Sequence, residues 1–398
     1  MIIALPSLVN QRSFATHRTD PSGFSAEEAK QLLEFCIELN NQDDRNNHPD
    51  DSEYRANLGS WQTVFDSRDG LGPDPATNGF GPFQNAWIML RNRNDGREYA
   101  LAIRGTIGQA KSILDDLLAT TVAAFGGIEF PEATSLPIAF AATPGAELHL
   151  GFAYAAFTLL FDKNLGILKF LQSERMPAGA RLMITGHSQG AAIATLVHSF
   201  LHYALTDPGD RYGLQAKQFK LKSYVFAQPK PGNYQFALDF AQIAGSRGAG
   251  FVVNNSLDPV TLLPLSQETL SESIAGTLEE NRMDGTRIES FLIGGAARVS
   301  QDIFKIRNAA SELVSDKVSK LYHQSEMKNI DTSYFQSTPV IAERPAKSLN
   351  YTLSGALVPL FGDFDGGTLY PLKPRTVDAL LQHHATTYRK LLHRQFGE

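Results

Sequence analysis

The alternation of apolar and polar positions divides the chain into segments of different period. Residues 25–40, "SAEEAKQLLEFCIELN", have Ser25 followed three residues later by Glu28 ahead of a helical apolar period, a capping-box start. A polar Asn/Asp-rich loop, "NNQDDRNNHPDDSEYRANLGS", follows. From residue 86 the pattern turns to strands: "AWIMLRNRNDGREYALAIRGT" sets Asp95-Gly96 between two apolar runs, which predicts a hairpin. "SILDDLLATTVAAF" returns to a helical period, and the Gly/Pro-punctuated "GGIEFPEATSLPIAFAATPGA" interrupts it. Beyond lie a predicted helix over 149–172, a strand over 181–185 and a helix over 189–205. "LKSYVFAQ" reads as a strand, "NYQFALDFAQIA" as a helix and "GFVVNNS" as a strand. Strands alternating with helices require right-handed crossovers, so the expected fold class is α/β, with a mainly parallel central sheet flanked by helices. From about 266 to 345 the pattern is long and helical, a helical insertion with "STPVIAERPAK" as its exit loop. Length alone would allow two or three domains, but a single domain over 1–398 with insertions accommodates the same pattern. No internal repeat or low-complexity tract interrupts it.

The joint between the 181–185 strand and the 189–205 helix is Gly186-His187-Ser188-Gln189-Gly190. A tight strand-to-helix turn forces its apical residue into an unfavourable backbone conformation, and side chains two residues to either side would collide with strand and helix. Glycine at both places relieves that collision and leaves the Ser188 hydroxyl standing above the first helix amides. This is the geometry of a nucleophile elbow, and the flanking strand and helix distinguish it from an ordinary Gly-Ser loop.

A serine hydroxyl needs a base to take its proton, and the base needs a third group to orient it. In α/β hydrolases the chain order is Ser, then Asp or Glu, then His. Asp258, in "FVVNNSLDPVTLLP", directly follows an apolar strand and is stiffened by Pro259, so it is the acid candidate over a plain Asp-Pro turn. Downstream histidines are His323, His383, His384 and His393. His323 falls in the helical insertion. Of the pair in "ALLQHHATTYRKLLH", His384 is preferred to His383 because Tyr388 follows it by one helical turn. A tetrahedral oxyanion needs two preorganised N–H donors. One is the amide of Gln189 at a helix N-terminus; the other is expected from Thr106, where "ALAIRGT" ends a strand.

Composition narrows the partners. A net charge of -6 and the absence of a polybasic cluster argue against nucleic acid and against docking on anionic lipid. The single cysteine, Cys36, cannot form an internal disulfide and lies in an apolar helical stretch, which reads as a buried structural thiol. The start, "MIIALPSLVNQRSFATHR", lacks a basic n-region and carries a proline, so it reads poorly as a Sec signal; localisation stays open between the cytoplasm and export by an unrecognised route. No stretch reaches the roughly 18 apolar residues of a membrane span. Asp363 and Asp365 in "GDFDGG" lack the spacing of a calcium loop, and the clustered His383, His384 and His393 lack acidic or thiol companions, so no metal and no cofactor are expected.

Taken together, "YALAIRGT", "LHLGFAYAA", "ITGHSQGAAIATL", "YVFAQPKPGN", "VNNSLDPVTLLP" and "HATTY" resemble, in order, the class 3 lipases, the family of the filamentous-fungal triacylglycerol lipases. The resemblance covers most of 86–265 and a short C-terminal piece. It implies an α/β-hydrolase fold and a carboxylic ester hydrolase working through an acyl-enzyme, with Ser188, Asp258 and His384 as triad and Thr106 and Gln189 as oxyanion hole. It also implies that His187 packs or hydrogen-bonds near the elbow and is not the base. Acylglycerols are the expected substrate, with transient contact at a lipid interface. A phospholipase A1 or a short-chain carboxylesterase would use the same triad, and a catalytically silent binding protein could share the fold. This chain departs from the family in three respects: a long segment at 107–148 where the family carries its lid, a longer insertion between Asp258 and His384, and no disulfides. The apolar run Leu117, Leu118, Val122 and Phe125 suits a lid that covers the site when closed.

Overall fold

The computed structural model describes residues 22–47, 55–70, 79, 84–105, 121–124, 138–264, 329–335, 350–362 and 381–397. Within them the strands are β1 (Trp61–Asp66), β2 (Ala86–Asn92), β3 (Glu98–Arg104), β4 (Thr121–Ala123), β5 (Glu147–His149), β6 (Arg181–His187), β7 (Lys220–Phe226), β8 (Gly232–Asn233), β9 (Gly250–Asn255), β10 (Tyr351–Thr352) and β11 (Ala356–Leu360). The helices are α1 (Ala26–Asn47), α2 (Leu150–Phe161), α3 (Ile167–Gln172), α4 (Gln189–Thr206), α5 (Tyr234–Ile243) and α6 (Ala385–Phe396). The main sheet has seven strands in the order β1-β2-β3-β6-β7-β9-β11. Its first three are antiparallel neighbours, and from β3 onward every pair is parallel. The α/β-hydrolase expectation of a mainly parallel sheet between helices therefore holds. Four short antiparallel strands, β10-β8-β5-β4, make a second sheet.

Each central strand buries both faces, and its two-residue period sorts its side chains between two cores. Leu101, Ile103, Leu182, Ile184, Val225 and Val252 face α2, α3 and α4. On the opposite face, Ala100, Ala102, Met183, Tyr224, Phe226 and Val253 meet α1 and α6. Because the run from β3 to β11 is parallel, the carboxyl ends of β3, β6, β7 and β9 share one edge. That edge is where open α/β sheets carry their sites.

The Asp95-Gly96 hairpin forms: the Asp95 carbonyl accepts from the Glu98 amide (3.0 Å) and Asp95 Oδ1 from the Arg97 amide (2.9 Å). Ser25 caps α1 by accepting from the Glu28 amide (3.3 Å), but the box is opened. The Glu28 carboxylate accepts from Arg181, Lys222 and Tyr224, and the Tyr224 hydroxyl takes the Ser25 amide that a capping box would give to Glu28. Those three donors lie on β6 and β7, so the sequence pattern of a local cap serves to tie α1 to the sheet.

Other expectations are corrected. The predicted 149–172 helix is two helices, α2 and α3. Asp162 ends the first by accepting from the Asn164 and Leu165 amides (both 2.8 Å), and the incoming chain pairs there, with Lys163 donating to the Asn329 carbonyl (2.7 Å). Helix α1 runs to Asn47, well into the stretch read as polar loop. Thr121–Ala123 is a strand rather than helix, because its backbone pairs with β5. Within the proposed lid segment 107–148, Val122, Ile138 and Phe140 are buried in the same core cluster as residues of α4. Leu117, Leu118 and Phe125 lie outside the described residues, as do Asp363 and Asp365 and all of the 266–345 insertion except 329–335.

Candidate active site

Ser188 has φ 60° and ψ -133°, a left-handed conformation that costs a non-glycine residue of order 1–3 kcal/mol. Both neighbouring glycines are sterically required. A Cβ on Gly186 would lie 2.2 Å from the Gly190 carbonyl oxygen, and one on Gly190 would lie 2.3 Å from the Ile103 carbonyl oxygen. The turn is pinned by the Ser188 amide donating to the Phe226 carbonyl (3.0 Å) and the Ala191 amide to the Ser188 carbonyl (2.8 Å). The elbow inferred from the sequence is thus the shape of the backbone, with Gln189 opening α4 directly behind the serine.

Asp258 follows β9 and is fully buried. Its Oδ1 accepts from the Val260 amide (2.9 Å), which fixes the carboxylate plane by a local turn. Its Oδ2 accepts from His383 Nδ1 (2.8 Å) and from the Tyr388 hydroxyl (2.7 Å). His383 Nε2 lies 2.8 Å from Ser188 Oγ. A serine, an imidazole and a carboxylate are therefore joined in one hydrogen-bonded chain. With Asp258 ionised, His383 carries its proton on Nδ1, leaving Nε2 as the acceptor for the Ser188 proton.

The structure brings His383, and not the preferred His384, to Ser188 and Asp258. Residues Leu381–His383 form a short 3₁₀ turn and His384 is the N-cap of α6, with φ -61° and ψ 138°. The helical spacing from His384 to Tyr388 is realised in the backbone, where the Tyr388 amide donates to the His384 carbonyl (3.2 Å). The imidazole of His384 is half-buried, whereas Tyr388 reaches past it to Asp258. The signal was sound in pointing to Tyr388 and misleading about its partner.

Two further residues hold the histidine and were not found in the sequence. Asn255 Nδ2 donates to the Gln382 carbonyl (2.9 Å) and to Gln382 Oε1 (2.8 Å), which anchors the residue before His383 to the end of β9. The Asn255 amide donates to the Tyr388 hydroxyl (3.0 Å). Burial first, and then the negative charge of Asp258, push the Tyr388 hydroxyl well above its ordinary pKa, so it remains a donor. His187 packs under the site as the resemblance implies. Its ring centroid is 4.9 Å from that of His383 and 5.7 Å from that of Tyr388, edge-on to the latter. Burial foremost, and the charge of His383 next, hold His187 well below the usual histidine range, so it stays neutral beneath the triad.

On the oxyanion side, Gln189 is buried at the first position of α4. The N–H groups of a first turn point along the helix axis toward its N-terminus, where they favour negative charge. Thr106 lies outside the described residues; the strand that leads to it, β3, ends at Arg104 and packs against the start of α4. Among the described residues no three acidic, histidine or cysteine side chains are grouped to hold a metal ion, and no helix is long and apolar enough to cross a membrane.

The family model for lipase (class 3) matches residues 100–268. No curated protein matches the chain. Among solved structures, the M37 lipase aligns at 20% identity over 63% of this chain and 72% of its own, with a TM-score of 0.42. The triacylglyceride lipase of Rhizomucor miehei aligns at 17% identity over 61% of this chain and 76% of its own, with a TM-score of 0.36. Lipase II from Rhizopus niveus aligns at 16% identity over 61% and 77%, with a TM-score of 0.37.

Proposed function

We propose that this chain, a serine ester hydrolase of the class 3 lipase family by its residues 100–268, cleaves acylglycerol esters through an acyl-enzyme on Ser188 with His383 as base and Asp258 as its orienting acid. The observation that carries the reading is the pair of 2.8 Å contacts that run from Ser188 Oγ through His383 to Asp258, set on a serine with positive φ.

In the acylation half-reaction, Ser188 Oγ attacks the ester carbonyl carbon while its proton passes to His383 Nε2. The carbonyl π electrons move onto oxygen, and the amide of Gln189 stabilises that oxyanion together with a second donor expected at Thr106. Asp258 stays ionised and stabilises the imidazolium. When the intermediate collapses, the C–O bond to the alcohol breaks and His383 Nε2–H protonates the departing oxygen. Water then repeats the sequence on the acyl-enzyme, with the same imidazole taking its proton and returning it to Ser188.

The test is a hydrolysis panel of tributyrin, triolein and phosphatidylcholine, together with intact-mass analysis after a fluorophosphonate probe. The reading expects triacylglycerol cleavage and one phosphonyl adduct, absent in Ser188→Ala. Cleavage of phosphatidylcholine alone, or of tributyrin alone, would assign a phospholipase or a short-chain esterase instead. An unlabelled Ser188 in a folded chain would overturn the enzymatic reading itself.

A further inference from the structure

We propose that Asn85 is a positioning residue for the oxyanion site, a clamp that draws the end of β3 onto the first residue of α4; the inference rests on the ester-hydrolase reading above. Asn85 is buried just before β2, far in sequence from the elbow. Its Nδ2 donates to the Arg104 carbonyl (3.2 Å), at the last residue of β3, and to Gln189 Oε1 (3.1 Å). A carboxamide nitrogen has two hydrogens, so both bonds form at once. One side chain thereby joins the strand end to the residue whose amide faces the developing oxyanion.

The contact it spans has no slack. A Cβ on Gly105 would lie 2.7 Å from Gln189 Cβ and 2.8 Å from the Gly190 amide nitrogen, and Gly190 meets Ile103 as closely from the other side. Steric contact of this kind sets a minimum separation but supplies no attraction. The Asn85 bonds supply it, from a corner that is itself fixed. Arg104 Nη2 donates to the Gln84 carbonyl (2.9 Å), and Ala86 pairs with Arg104 in the sheet. Tying Gln189 Oε1 also holds that side chain in one rotamer, so its amide nitrogen cannot swing across the reacting carbonyl. Oxyanion donors act only at short range and with preset geometry, so a shift of a few tenths of an ångström weakens transition-state stabilisation while leaving substrate binding nearly untouched.

The experiment compares wild type, Asn85→Ala, Asn85→Leu and Gln189→Ala with p-nitrophenyl butyrate, and measures inhibition by a trifluoromethyl ketone whose hemiketal mimics the tetrahedral intermediate. Asn85→Ala and Asn85→Leu are expected to lose kcat about 10- to 100-fold, below the full loss of an oxyanion donor, with KM changed less than about threefold. The inhibitor Ki should rise by the same factor as kcat/KM falls. Gln189→Ala, which keeps its backbone amide but loses the acceptor, should show a smaller loss of the same kind. Asn85→Ala should then cost less in that background than alone. Folded Asn85 variants with kcat near wild type, or with a loss carried by KM and an unchanged Ki, would overturn the inference. If both Asn85 variants fail to fold, Gln189→Ala decides, and an unchanged Ki there overturns it. An inactive wild type would instead overturn the proposed function.

Discussion

Replacing Tyr388 by Phe removes a single oxygen that serves two groups. That hydroxyl donates to Asp258 Oδ2 at 2.7 Å and accepts from the Asn255 amide at 3.0 Å, in a fully buried position. A hydrogen bond to a charged group contributes about 1.5–3 kcal/mol, and a buried amide left without an acceptor costs about 1–3 kcal/mol. The two share one atom and do not simply add, so the expected loss of stability is about 2–4 kcal/mol. The Ser188–His383–Asp258 chain is retained in this variant, so turnover should stay within about tenfold of wild type. Urea denaturation monitored by tryptophan fluorescence gives the first quantity, and p-nitrophenyl butyrate turnover gives the second. Unchanged stability would refute the reasoning that this buried oxygen serves both the Asp258 carboxylate and the Asn255 amide.

Two other outcomes follow from particular contacts. Gly190→Ala forces a Cβ to within 2.3 Å of a strand carbonyl, so it should destabilise by about 1–3 kcal/mol and cut turnover at least tenfold; wild-type values in both denaturation and turnover would refute the steric account. Burial first, and then the charge of His202, lower His198 to about 3. The unfolded chain gains a proton below about pH 6.5 that the native state refuses, so this stability is present at neutral pH and lost as pH falls through 6.5 toward 3, by about 2–3 kcal/mol at pH 4.5. His198→Asn should shrink the difference in unfolding free energy between pH 7 and 4.5 by that amount, and an undiminished difference would count against it.

The parts of the site that could be read from the sequence are those whose cause is local. Gly186 and Gly190 announce the elbow because the collision they avoid lies within five residues of chain and its neighbouring strand. Asp258 was legible from the strand before it and Pro259 after it. The histidine was not, because two adjacent imidazoles fall on either side of a 3₁₀-to-α boundary, and terminal turns obey no fixed period. Asn85, Asn255 and the opened cap at Glu28 were invisible for another reason. Each has a partner more than 100 residues away in sequence, and nothing in a polar residue's immediate surroundings says which distant group it will meet. The break at Asp162 belongs to the same class, since the chain at Asn329 that pairs there returns from a remote segment.

In the proposed mechanism His383 joins Ser188 to Asp258, and pre-steady-state acylation measures its part most directly. Mixing enzyme with excess p-nitrophenyl butyrate should release a rapid burst of nitrophenol, stoichiometric with folded protein, when deacylation is the slower step. Wild type and His384→Ala should both give the burst, with rates within about tenfold of each other, while His383→Ala should acylate at least about 10⁴-fold more slowly. A burst that survives in folded His383→Ala and disappears in folded His384→Ala would contradict the assignment.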